Sequence, residues 1–148
     1  FHTDPVTRYV RRHRLVKKDP AAALSEPVTP IVYYLDQGVP EPYRTAFKQG
    51  ASWWSKVFAE AGFTNAFRVE DMPADMDPMD ARYHVIQWFH RSEASSSVGP
   101  SFVDPRTGEI IKAAVQLLPL GVRQGHSTGG RPEAVPQLLE QLQSLLDA

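Results

Sequence analysis

The chain has 148 residues, 42% hydrophobic and 10% aromatic, which suits one domain with a buried core and excludes a disordered segment. A net charge of -1 excludes the strong basic excess of a dedicated nucleic-acid binder, and the lack of cysteine excludes disulfide and thiolate chemistry. No apolar run approaches the roughly 20 residues of a membrane span, and Phe1 opens the chain without a signal-peptide pattern, which predicts a piece of a longer protein.

Residues 1–27 read as a basic N-terminal arm. Its centre, TRYVRRHRLVKKDP at 7–20, holds six Lys or Arg, with Tyr9, Val10, Leu15 and Val16 among them. Such a segment either grips phosphate or an acidic surface, or forms a solvated edge whose charges blunt pairing. The charge balance of the whole chain favours the second. The core reads as residues 28–118. After the Pro-punctuated ALSEPVTP, the run IVYYLD at 31–36 is β-branched and aromatic, as in a strand buried on both faces.

From 41 to 61 the period becomes helical. Tyr43, Phe47, Ala51, Trp54, Phe58 and Ala61 form one apolar stripe, Pro42 suits the first turn, and Gly62 suits the left-handed residue after the end. The pair Trp53 and Trp54 reads as core more readily than as a stacking site. NAFRVED at 65–71 and ARYHVIQWFH at 81–90 predict two further strands, the second with His84, Ile86, Trp88 and His90 on one face. Strand, helix, strand is a parallel crossover. A hairpin follows over 98–103 and 109–115. Its turn has Asp104 to accept a backbone bond, Pro105 to preset φ and Gly108 to supply a positive φ. Glu109 and Lys112 are polar breaks in the return strand. Residues 119–132 read as a linker and 133–148 as an amphipathic helix with a leucine face.

The residues that could carry chemistry form no complete set. Glu70, Asp71, Asp75, Asp77 and Asp80 lack the ordered spacing of a calcium loop, and the interleaved Met72, Met76 and Met79 suit a loop packed on the surface. His84 and His90 share a strand face but stand roughly 20 Å apart on a straight strand. His2, His13 and His126 make no helical pair with any other histidine. Ser95, Ser96 and Ser97 lack a nucleophile elbow, and no glycine loop of phosphate-binding type occurs.

Four stretches carry a resemblance: RLVKKDPAAALSEPVTPIVYYLD, VPEPYRTAFKQGASWWSKVFAEAGFTNAFRVEDMPAD, DPMDARYHVIQWFHR and VGPSFVDPRTGEIIKAAV. Over residues 8–115 the chain resembles a bacterial family of large secreted zinc-dependent metalloproteases of metzincin type. The resemblance implies an α/β upper subdomain, with a mixed, mostly parallel sheet, a backing helix and an antiparallel edge hairpin. It implies an extracellular or periplasmic location, and peptide or protein as substrate. The substrate would lie along the edge strand as an added strand, against Val98, Gly99, Pro100, Ser101, Phe102 and Val103. The family's H-E-x-x-H helix, which holds zinc and a general base, does not follow the return strand here. No catalytic residue or zinc ligand carries over, so no cofactor is expected in this chain, although the complete family protein holds zinc. The expectation is an incomplete or truncated metzincin-like hydrolase domain, inactive as this chain. The alternative is a non-enzymatic peptide-binding or assembly module on a protease-derived scaffold. Neither a nucleic-acid partner nor a membrane span is expected. A face left bare by the missing helix would be covered by the leucine face of 133–148, or by self-association through it.

Overall fold

In the computed structural model, which describes residues 7–51, 53–89 and 97–117, the apolar run after Pro30 becomes β1 (Ile31–Leu35). Ile31, Tyr33 and Leu35 alternate onto one buried face. β2 (Phe67–Asp71) and β3 (His84–Trp88) flank β1, both parallel to it. β4 (Ser101–Val103) is an edge strand, antiparallel to β5 (Ile110–Leu117), which in turn runs parallel to β3. The order is β2-β1-β3-β5-β4, the mixed, mostly parallel α/β sheet with an antiparallel edge hairpin that the sequence predicts. The linker at 119–132, the helix at 133–148 and any self-association through it lie outside the described residues.

The single helix predicted over 41–61 is two: α1 (Tyr43–Ala51) and α2 (Trp54–Glu60). The backbone tightens between them, where Trp53 N–H donates to Gly50 O and Lys56 N–H to Trp53 O, both one residue short of an α-helical bond. Gly50 is a weak helix former at this joint. Tyr43, Phe47 and Ala51 bury as the stripe predicts, and Trp54 and Phe58 pack half-buried over Phe67. Trp53 does not join the core. It is exposed, as is Val57 one turn later, because both sit off the stripe that meets the sheet. Gly62, at φ 84, closes α2 with paired bonds from Gly62 N–H to Ala59 O and Phe63 N–H to Phe58 O.

The helices cover one sheet face. The other is covered by the connection from β2 to β3, which crosses β1 and lays Met72 and Met76 over Tyr34, Val85 and Ala114. Three acidic residues of this crossing have local work: Asp71 pairs with Arg44 and Lys48, Asp80 with Arg82, and Asp77 accepts from Met79 N–H. Lys112, a polar break in the sequence, is only 7% exposed on this face. Its ammonium donates to Pro78 O at 2.6 Å and Asp80 O at 2.7 Å, so one buried lysine fixes the crossing to β5.

The basic arm is not simply solvated. Arg12 bridges the start of β5, with Arg12 N–H donating to Gly108 O and Ile110 N–H to Arg12 O. Leu15 packs on the core, Lys17 donates to Ala22 O and Ala23 O, and Lys18 pairs with Glu26. Gly108 is buried at φ 75, where any Cβ would collide with the Val10 carbonyl and Tyr9 Cβ. Gly108→Val should therefore lower stability by about 1 kcal/mol or more, from backbone strain and from the displaced arm. A urea midpoint equal to that of the parent chain would refute this. Lys112→Met should cost about 2 kcal/mol or more, since Pro78 O and Asp80 O lose their donor. The same variant should speed proteolytic nicking at 73–80, and an unaltered cleavage pattern would show that the crossing is held by other contacts.

Candidate functional site

The expected substrate strand lies at the edge of the sheet, outside β5. Val98 and Gln116 exchange two backbone bonds, Val98 N–H to Gln116 O at 3.1 Å and Gln116 N–H to Val98 O at 2.7 Å. Two residues on, Ala114 N–H donates to Pro100 O at 3.0 Å, and Phe102 stands opposite Lys112. In an antiparallel pair such positions alternate with ones whose N–H and C=O point away from the partner strand. Gly99 and Ser101 therefore present their backbone groups outward. Among the described residues nothing hydrogen-bonds to this outer row.

Pro100 matters for what it does not block. Proline on an edge strand usually removes an outward donor. Here the missing N–H faces β5, and the outward row stays intact. The row ends at Val103, which pairs with Ile110 rather than Ile111, so β5 carries one extra residue there and the strand bends. Val98 and Phe102 are 46% and 61% exposed. The structure thus brings Val98, Gly99, Pro100, Ser101, Phe102 and Val103 together on one edge.

A second cluster escaped the sequence. His84, the first residue of β3, stands beside Tyr33 of β1 in register, with ring centroids 5.2 Å apart. His13 of the arm meets His84 edge-on at 5.0 Å. His84 Nδ1 accepts from Ala113 N–H at 3.0 Å, so the neutral ring carries its proton on Nε2. The alternation of β3 had placed His84 on the face of Ile86 and Trp88. Nothing in sequence linked it to His13, whose arm looked exposed.

The His84 ring is held by its bond from Ala113 N–H and by its neighbours Tyr33 and His13. Among the described residues no group of three His, Asp or Glu could hold a metal ion, and His84 Nδ1 is already engaged. At the carboxyl ends of β1 and β3, where open α/β sheets often take ligands, the polar groups also face one another. The Asp36 carboxylate accepts from Gly38 N–H and Trp88 N–H, and Arg44 donates to the carbonyls of Asp36, Gln37 and Val39.

Burial pushes the His84 pKa down to about 4, aided by the nearby charges of His13 and Lys112, and burial lowers that of His13. The folded state then binds fewer protons than the unfolded chain below the ordinary histidine value of 6.5. Stability from these rings is complete above that value and is lost as pH falls from it towards about 4. The urea midpoint should drop between about pH 7 and about pH 5, and His84→Gln should flatten the drop. An identical pH slope in the variant would assign the loss to other groups.

Comparison with protein-family models, with curated proteins and with solved structures returns no match.

Proposed function

We propose that this chain is the peptide-binding part of a metzincin-like peptidase scaffold, and that it binds an extended peptide as an added strand along β4 without cleaving it. The observation that carries this reading is the outward row of Gly99 and Ser101 beside a proline whose missing donor faces inward. The parallel sheet, the backing helices and the antiparallel edge hairpin agree with the metzincin resemblance of residues 8–115. The described residues do not fit zinc, because no three ligands converge among them. A non-enzymatic peptide-binding or assembly module rests on the same edge. The two readings part on whether H-E-x-x-H follows in frame in the gene.

A two-residue row offers two donors and two acceptors. At about 1 kcal/mol net per hydrogen bond, backbone pairing contributes about 4 kcal/mol before the cost of ordering the incoming strand. Ser101→Pro removes one outward donor and sets a ring against the incoming strand, while the bonds to β5 at Val98 and Pro100 persist. Titration calorimetry with a short Val-Thr repeat peptide should give binding to the parent chain and none to Ser101→Pro. The variant's unfolding free energy from urea titration should stay within about 1 kcal/mol of the parent's. Equal binding by both chains would remove β4 from the site. Chelator-sensitive hydrolysis of casein by the purified chain would overturn the non-cleaving part of the proposal.

A further inference from the structure

We propose that the β4 edge selects its peptide from one side, through the exposed apolar side chains of Val98 and Phe102, and prefers a strand with apolar side chains at alternate positions. This rests on the reading of β4 as a peptide-binding edge and adds the chemistry of the side chains.

Cross-strand partners share a sheet face, so Val98, Pro100 and Phe102 project with Gln116, Ala114 and Lys112. That face is the one crossed by residues 72–80, since Ala114 packs with Met72 and Met76. Gly99 and Ser101 project to the opposite face, where they offer no bulk and one hydroxyl. The two faces of the edge therefore differ in kind.

Val98 and Phe102 remain open on this face, at 46% and 61%. A strand added outside β4 places alternate residues in line with Val98, Pro100 and Phe102. Its apolar side chains would cover this row, and its remaining side chains would pass over Gly99 and Ser101.

Two probes of one length separate the possibilities, a Val-Thr repeat and a Ser-Thr repeat, each titrated into the full chain. The parent should bind the Val-Thr peptide roughly 10-fold more tightly. Phe102→Ser should narrow that ratio while leaving the Ser-Thr affinity unchanged. Phe102 is exposed, so the variant removes no core packing. Equal affinity of the parent for both peptides would overturn the one-sided selection and leave the edge reading standing. Binding of neither peptide would overturn the edge reading and this inference with it. A concentration-dependent dimer that Ser101→Pro abolishes, with no response to peptide, would make a second copy the occupant and overturn both.

Discussion

β5 is longer than the strand beside it, and much of the fold answers to that mismatch. It runs for eight residues against five in β3, and its inward amides continue past the point where β3 begins. A buried amide left without a partner costs about 1–3 kcal/mol. Two devices meet this need in turn. The His84 imidazole takes the Ala113 amide, and the arm, through Arg12 O, takes that of Ile110. The arm then lies where His13 meets His84 and Leu15 meets the core. A basic segment that looks solvated is thereby joined to the sheet by its backbone, while most of its charged side chains stay in water.

The other side of β5 sets the edge. Its outward amides pair with Val98, Pro100 and the rest of a short strand, and Ile111 is the extra residue at which that pairing shifts. Lys112 belongs to the same strand and turns to the face crossed by the connection from β2. Its two short bonds to carbonyls satisfy an ammonium that apolar contact alone would not tolerate. One strand thus fixes the arm, the edge and the cover of the second face.

The elements with strong local signals were legible. The β1 run, the stripe through Tyr43, Phe47 and Ala51, and the positive φ of Gly62 and Gly108 follow from period and turn chemistry. The first strand of the hairpin lies at the sheet edge as its short run predicts, because the hairpin's turn chemistry is local. What was not legible depends on distant residues. Trp53 is apolar, yet its angular position carries it off the sheet. Lys112 reads as a break, yet two carbonyls more than thirty residues away make it a buried fastener. His13 finds His84 only after the arm has docked on β5.

An open edge of this kind raises a question of restraint. Exposed edges invite pairing with any extended chain, and proteins commonly shorten, bend or charge them. β4 is short and the bulge at Ile111 ends its regular pairing, but its outward row is uncharged. With two residues offering backbone groups, main-chain pairing yields about 4 kcal/mol before the cost of ordering the incoming strand. That is too little to hold a partner firmly, and it is indifferent to sequence. On the reading of β4 as a binding edge, the shortness that guards against indiscriminate pairing leaves discrimination to side chains. The asymmetry between the Phe102 face and the Gly99–Ser101 face is where such discrimination would reside.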